Sequence, residues 1–520
     1  MAKSTTVVNL DALIPRGDLF EYPTGVQADS MEIRITDLEP GLIYSLLRKP
    51  DFQRETANWS PNQVVDLIET FCAADIIPAI ILWQNGSSIF VVDGSHRLSA
   101  LVGWVRNDFG AGLRSQEMFG SNISAHQRAM HERTVDLVSK SVGPWEDYKK
   151  SHAVLGMKSL QIQWIHGRTA PQAAKAFIRI NQGGTVIDPL EVRILNAARS
   201  ALSVATRVLA RGGSGHPYWQ HFTDTSAQEK VPKLGAEIYK LLYEPVLEMP
   251  IKTTEVPLAG QGYGVQTIRL AFDLVALANG LTVPDSTRAK VSGEPTPPDN
   301  EGISTLNYLN RTLKAVRLIL SNDPSSLGLH PALWFYTSNG TFQSAAFLNV
   351  MAWVLDLERR QKIDAFRAVR GQFEELLLAH PAVIKPATHR LGSGGRTRTK
   401  MLLVLNDTLE ALSGGASAEE TWGALKGKHS YLGQEDEDGS DIADALGAFP
   451  ASVKSAATLA DLPQVPRCGL CGGLLHRNGK TLDHIKKKAD GGSASLANAR
   501  WVHPICNSNR DRDERLGRLT

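Results

Sequence analysis

Near the end of the chain stand two short pairs of soft donors, Cys468-Gly-Leu-Cys471 and His503-Pro-Ile-Cys506. Three of the four cysteines lie in them. Four sulfur and nitrogen ligands in two short-spaced pairs are what a closed, tetrahedral structural zinc site requires. Such a staple has a purpose here, because a segment below about 70 residues rarely stabilises itself through its core alone. Between the pairs come Leu482-Asp483-His484-Ile485, Gly491-Gly492 and Asn498, and Asn507 follows directly after them. A neutral imidazole titrating near physiological pH, such as His484, can take the proton of an attacking water. Asp483 precedes it, so on an extended strand the two side chains point to opposite sides. Lys486-Lys487-Lys488, Arg500, Arg510, Arg512, Arg515 and Arg518 surround this stretch, and such clustering suits phosphate contacts.

On these residues the segment resembles the HNH endonuclease module, the ββα-metal nuclease fold, in a zinc-stapled form. The resemblance implies metal-assisted phosphodiester hydrolysis. It makes Asp483 a ligand of the catalytic divalent ion and gives Asn498 the task of holding the loop that orients His484. Asn507 takes the place of the family's last histidine, as an oxygen ligand suited to Mg²⁺ or Mn²⁺. The pattern is thus His-Asn-Asn rather than His-Asn-His. A zinc ribbon that only binds is the alternative the two pairs alone would leave open. The added Asp-His, Gly-Gly and Asn favour the nuclease, and the HxxC spacing favours His503 as a zinc ligand.

A second group of candidate residues lies between positions 50 and 105. Gln53-Arg54 precedes Trp59-Ser60-Pro61, where Ser60 can cap a helix whose first residue is proline. Val64, Leu67, Ile68 and Phe71 give that helix an apolar stripe. Pro78 to Trp83 and Ile89 to Val92 read as strands joined at the Asn85-Gly86 turn. The second strand runs into Asp93-Gly94-Ser95-His96-Arg97, which opens a helix. Gly94 permits a tight turn, Ser95 can cap, and the new helix end offers unpaired N–H groups to an anion. Arg97 adds a charged fork for phosphate oxygens.

Gln53-Arg54 and Asp93-Gly-Ser-His-Arg97 resemble the DGQQR-motif domain, related to the ParB/sulfiredoxin fold. That domain is the nucleotide-hydrolysing and sensing half of modification-dependent (type IV) restriction systems. Leu10-Asp-Ala-Leu-Ile-Pro-Arg16 resembles its opening, and Phe177-Ile-Arg-Ile-Asn181-Gln-Gly-Gly with Asp188-Pro-Leu-Glu191 its asparagine-glycine segment. His330-Pro331 through Phe335-Tyr336 to Asn339-Gly340 resembles its helical extension. Together with the tail, the architecture is similar to an anti-phage restriction effector, the phosphorothioate-sensing effectors being among the nearest relatives. The resemblance implies a nucleoside triphosphate at Gln53, Arg54, Gly94, Ser95, His96 and Asn181, with Asp93 and Arg97 acting in its turnover. The chain has Ser95-His96 where the family commonly has two glutamines. A surface ion pair between Asp93 and Arg97, and plain helix punctuation around Asn181, are the structural readings of the same residues.

The elements that must position these groups read as an α+β, multidomain chain. A ParB-like α/β domain covers 1–200, a helical extension 201–412, a linker 413–460 and the zinc-stapled nuclease 461–520. Apolar periodicity predicts helices over 190–210, 264–280, 303–321 and 343–378. Residues 391–400 read as a flexible basic loop, and 413–460 as a partly helical tether. At 520 residues, 42% apolar and 21% charged, the composition is that of a soluble globular protein. A net charge of +2 does not by itself announce a nucleic-acid partner, so any basic surface is local. No apolar leader and no run of eighteen apolar residues stand out, which predicts a cytoplasmic protein away from membranes. Cys72, in an apolar helix pattern, reads as a buried small hydrophobe. DNA, phage-derived or modified, and a nucleotide are the expected partners, with a homo-oligomer possible.

Overall fold

The computed structural model describes residues 7–17, 32–50, 53, 56, 59–120, 123, 125–151, 158–169, 172–173, 190, 193–194, 197–214, 217–262, 267–281, 297–384, 395–433 and 448–517. The chain folds as two compact units. One comprises Met1–Pro232, Tyr263–Arg269 and Thr296–Gly302, the other Lys233–Gly262, Leu270–Pro295 and Ile303–Thr520.

The first unit is built on a six-stranded mixed sheet. Its strands are β1 (Arg16–Gly17), β2 (Glu32–Arg34), β3 (Leu47–Pro50), β4 (Ile80–Asn85), β5 (Ser88–Asp93) and β6 (Ser159–Ile165), in the order β1-β3-β5-β4-β6-β2. β4 and β5 form the hairpin predicted from Asn85-Gly86, with Gly86 at φ +60°. β5 is interior, pairing in parallel with β3 on its other side.

Helix α1 (Pro61–Cys72) starts as its sequence requires. Ser60 Oγ accepts from Gln63 N, Gln63 Oε1 accepts from Ser60 N, and Pro61 takes the position where a missing N–H costs nothing. Its stripe buries Val64, Val65, Ile68 and Phe71. Helices α2 (Ser95–Arg106) and α3 (Ala125–Ser141) complete the labelled part of this unit. Leu98, Leu101 and Trp104 of α2 join Leu82, Val91, Val64 and Ile68 in one core. The Trp104 indole N–H is satisfied by Gly143 O at 3.0 Å, so this large ring is buried without an orphaned donor.

The second unit is mainly helical: α4 (Ile303–Ile319), α5 (Ser344–Arg359), α6 (Ile363–Ala379), α7 (Gly395–Ser413), α8 (Ala418–Lys428) and α9 (Ala451–Leu459). The apolar period over 343–378 resolves into α5 and α6, separated where Gln361 adopts φ +57°. Trp334, Trp353, Phe366 and Phe373 form an aromatic nucleus, with Trp353–Phe366 edge-to-face at 5.2 Å and Trp334–Phe373 stacked at 5.7 Å.

Two expectations change here. Residues 395–400, read as loop, open α7, because Met401, Val404, Leu405, Leu409 and Leu412 follow at helical spacing and are buried. Much of 413–460, read as a tether, is ordered packing: α8 lies against α6 and α7. In α9, Ser455 Oγ accepts from Ile251 N at 3.0 Å, while Thr458 Oγ1 donates to Ile251 O at 2.9 Å.

The same unit ends in a two-stranded hairpin, β7 (Thr481–His484) against β8 (Ala499–Val502), followed by helix α10 (Pro504–Arg515). This ββα element is pinned to the helices. Arg367 pairs with Asp513, Arg512 with Asp364, and Ile505 N donates to Ser326 O at 3.1 Å. Beneath it Arg370, fully buried, is paired to Glu374 at 2.8 Å and donates to the carbonyls of Leu327 and Gly328. Glu374 in turn accepts from Leu474 N and from the Trp334 indole.

Candidate functional site

The four soft donors converge. A bridge between Arg467 and Leu474 closes the turn that carries Cys468 and Cys471, with Cys468 N donating to Gly473 O at 2.8 Å. His503 is the N-cap of α10 and Cys506 lies in its first turn. The ligand atoms of Cys468, Cys471, His503 and Cys506 all lie within 4.8 Å of one another. A tetrahedral ion with sulfur arms of about 2.3 Å has edges of about 3.8 Å, so the set fits a single metal ion.

The His503 tautomer is settled by its surroundings. Nε2 faces Leu474 O at 3.0 Å and is the donor, which leaves Nδ1, 3.3 Å from Cys471 Sγ, as the ligand atom. Hydrogen bonds from Cys471 and Cys506 concentrate thiolate character on Cys468 and hold its pKa far below the ordinary value. The same sharing raises Cys471, and raises Cys506 to about 12. Burial lowers His503, which favours the neutral, ligating imidazole. A divalent ion is what would let the remaining thiols ionise.

The hairpin sorts the other candidates by face. Asp483 lies opposite Arg500, and Leu482 opposite Trp501. By the two-residue period, His484 shares the exposed face of Leu482, and Asp483 the buried face that meets α10. His484 is half-buried, at the end of β7, with no side-chain hydrogen bond among the described residues.

The backbone that leaves it is held twice. Asn498 Oδ1 accepts from Lys486 N at 2.7 Å, and its Nδ2 donates to Lys486 O at 3.0 Å and Ser493 O at 2.7 Å. From the other side Arg510 donates to His484 O and to Ile485 O. The loop is tight enough that a Cβ at Gly492 would stand 1.8 Å from Lys486 O, so only glycine fits.

Asp483 does not offer the arrangement the resemblance implied. Its Oδ2 accepts from Arg500 Nε at 2.9 Å, and Arg510 Nη1 approaches both oxygens at 3.0 and 3.1 Å. The residue is 7% exposed. Two guanidiniums on one carboxylate leave no uncompensated negative charge for a dication, and Asn507, half-buried in the first turn of α10, adds none. As arranged, Asp483 and Asn507 do not fit a divalent ion while Arg510 keeps its place. Arg510 itself was missed in the sequence. It stands among seven other arginines and lysines, and only the fold distinguishes it.

The N-terminal candidates also come together in part. β5 ends at Asp93, Gly94 turns at φ +87°, and α2 begins at Ser95. A Cβ on Gly94 would meet Ile80 at 3.0 Å and the Arg97 guanidinium at 3.2 Å. Gln53 Nε2 donates to Ser95 Oγ at 3.2 Å, both residues being buried. The His96 ring lies 5.6 Å from that of Trp59. Arg97 is engaged within the protein: it pairs with Asp93 at 2.6 Å and donates to Pro78 O and Ala79 O. Arg54 and Asn181 lie outside the described residues.

Behind Gln53 sits a buried ion cluster that the sequence did not single out as a site. Asp11 Oδ1 accepts from Arg16 Nη2 at 2.8 Å, Lys49 Nζ at 2.7 Å and Thr56 N at 3.1 Å. Arg16 also donates to the carbonyl of Gln53, so the cluster holds Gln53 itself. Burial would raise the Asp11 carboxyl, but Arg16, Lys49 and Arg211 outweigh it and hold the pKa well below the carboxylate range. Burial pushes the Lys49 ammonium down to about 8 despite Asp11.

Comparison with known families agrees with both regions. Residues 39–198 match the GmrSD restriction endonuclease, N-terminal domain, and residues 468–513 match the HNH endonuclease family. The chain joins a GmrSD-type N-terminal domain to an HNH endonuclease domain. That pairing matches a type IV restriction effector with an HNH fusion and supports a restriction-type HNH nuclease, with DNA as the implied substrate. No curated protein and no solved structure matches the chain. Among the described residues no helix is long and apolar enough to cross a membrane.

Proposed function

We propose that the protein is an anti-phage effector that senses a DNA modification through its GmrSD-type domain and cuts or nicks DNA through the HNH domain. The observation that carries this reading is the environment of His484: a half-buried imidazole at a strand end, with no side-chain hydrogen bond among the described residues and the backbone that follows it clamped by Asn498 and Arg510. His484 takes the proton of the attacking water. The new P–O bond forms as one ester bond breaks, and the departing oxygen is protonated by solvent. Zinc is the ion the Cys₃His set suits, in a structural role. Mg²⁺ or Mn²⁺ at Asp483 and Asn507 would require that Arg500 and Arg510 first release Asp483.

The N-terminal domain is read as ParB-like and as a nucleotidase, using Gln53, Gly94, Ser95 and His96 to hold a nucleoside triphosphate, with Arg54 and Asn181 contributing from outside the described residues and Asp93 and Arg97 acting in turnover. The working division is 1–200, 201–412, 413–460 and 461–520. A second reading has one observation in its favour. The Arg97 fork is already taken by Asp93 and two carbonyls, which suits a ParB-like module that binds DNA without turning over nucleotide.

The test challenges plasmids from modifying and non-modifying hosts with wild type and His484→Ala, with and without each nucleoside triphosphate. Wild type should cut one plasmid class in a nucleotide-dependent way, and His484→Ala should lose roughly 10²–10⁴-fold of that activity with its metal content intact. Full cleavage by His484→Ala would remove the nuclease assignment. Indifference to nucleotide would favour the second reading.

A further inference from the structure

The exposed face of the hairpin carries more than His484. Leu482 and Trp501 sit directly across from each other on it and are 54% and 47% exposed. Directly opposed residues have Cβ atoms about 5 Å apart, so the two side chains make one continuous apolar surface. Lys480 Nζ lies 4.7 Å from the Trp501 ring centre. His484 follows Leu482 by two residues and so shares this face.

Exposed Leu482 and Trp501 are not explained by the packing of the unit, since the opposite face, with Asp483 and Val502, is the one buried against α10. Their surroundings are cationic. Lys486 and Lys488 are exposed in the loop that leaves β7 and have no acidic partner among the described residues. Lys487 differs, being tied to Asp511 and Glu514. An aromatic ring beside an aliphatic side chain, edged by lysines and next to the base of a phosphodiester cutter, has the composition of a nucleobase platform: apolar for the base, positive for its phosphates.

We propose that Trp501, with Leu482 beside it, stacks on a nucleobase of the DNA strand that is cut, while Lys480 neutralises an adjoining phosphate. This rests on the nuclease reading and adds to it the contact that seats the strand over His484. It also accounts for the Lys480 position: its ammonium covers the ring until a base replaces it.

The experiment measures DNA binding by fluorescence anisotropy with His484→Ala as the parent, so that cleavage does not interfere, at several salt concentrations. In that parent Trp501→Ala should weaken Kd by roughly 5- to 150-fold, the range of a base–aromatic stack, with an unchanged slope of log Kd against log salt. Trp501→Phe should hold within about threefold. Lys480→Ala should lower the salt slope by about one, as for one lost phosphate contact. Zinc content should equal the parent's throughout.

A Trp501→Ala Kd within twofold of the parent, at full zinc content, overturns the proposal. So does a reduced salt slope in Trp501→Ala, which would make the contact electrostatic. Failure of the nuclease reading is separately visible, because wild type would then cut no better than the His484→Ala parent while the binding comparison stands.

Discussion

The HNH hairpin and the GmrSD-type turn both present a short strand-end motif, and they use their polar residues in opposite ways. At the hairpin the residues around His484 are committed to position: Asn498 and Arg510 hold backbone, and the imidazole is left without a protein partner among the described residues. At the turn the reactive groups are committed to one another, Asp93 to Arg97 and Gln53 to Ser95. The His484 imidazole is left open, whereas Asp483 beside it is held by Arg500 and Arg510 much as the pair at the turn is held by itself. A motif therefore specifies which groups meet, while the number of partners each has decides whether it can act without rearrangement.

The largest break in this comparison comes from the metal. Cys468→Ser should lose the ion, and since structural zinc contributes about 10–16 kcal/mol in small zinc domains, the ββα element should unfold. Because Arg370 and Glu374 link it to the aromatic nucleus, elemental analysis and calorimetry should report metal loss together with a lowered helical transition. An unaltered main transition would mean that the element is independent of the helices.

Each region also rests on a buried ion cluster, which can be removed separately. Arg370→Met leaves Glu374 buried and unpaired, and Asp11→Asn leaves Arg16 and Lys49 without their carboxylate. Each should cost about 3–5 kcal/mol by urea unfolding. The Asp11 cluster brings a defined acid sensitivity. The unfolded carboxyl titrates near 4 and the folded one lower, so its stabilisation is full above that pH and is lost as pH falls through it. The gap between wild type and Asp11→Asn should narrow below about pH 4. A gap independent of pH would locate the cost in packing.

Asn498→Ala tests positioning without touching the reacting groups. Freed from its clamp, His484 should lose roughly 10²-fold in kcat, the scale of a 1 Å misplacement, with metal content and DNA KM retained. A proportional rise in KM instead would make Asn498 a DNA contact.

The smallest effect is on stability at the turn. Asp93 and Arg97 are partly exposed, so Arg97→Ala should shift unfolding by no more than about 1 kcal/mol. Under the nucleotidase reading the same variant loses phosphate release entirely. Equal release by variant and wild type would leave Asp93 and Arg97 as a helix-start pair.

What the sequence made legible was local. The CxxC and HxxC pairs, the Ser60 N-cap with Pro61 and the Asn85-Gly86 hairpin each depend on spacing within a few residues. The Lys49–Asp11 and Glu374–Leu474 links join positions 38 and 100 residues apart, and nothing in a local pattern marks them. Arg510 failed for another reason. A guanidinium that grips two carboxylates and two carbonyls is spelled the same as one waiting for phosphate, so a basic run conceals its structural members. The opening of α7 was hidden by Gly, Ser, Arg and Thr, which read as loop until the buried stripe beyond them is considered.

The ties between α10 and the helices decide where this chain can be cut and rejoined. A graft that carried only residues 461–520 would strand Asp513 without Arg367, take Ile505 N away from Ser326 O, and leave Leu474 N without Glu374. It would bare a wall of the aromatic nucleus in the donor and an apolar underside in the transplant. The natural cassette for exchanging nuclease specificity thus begins no later than Glu244, since Glu244 O accepts from Asn478 and Glu255 from Arg477 N. A cutter that depends on its own scaffold in this way is also hard to shed as an active fragment inside the cell that makes it.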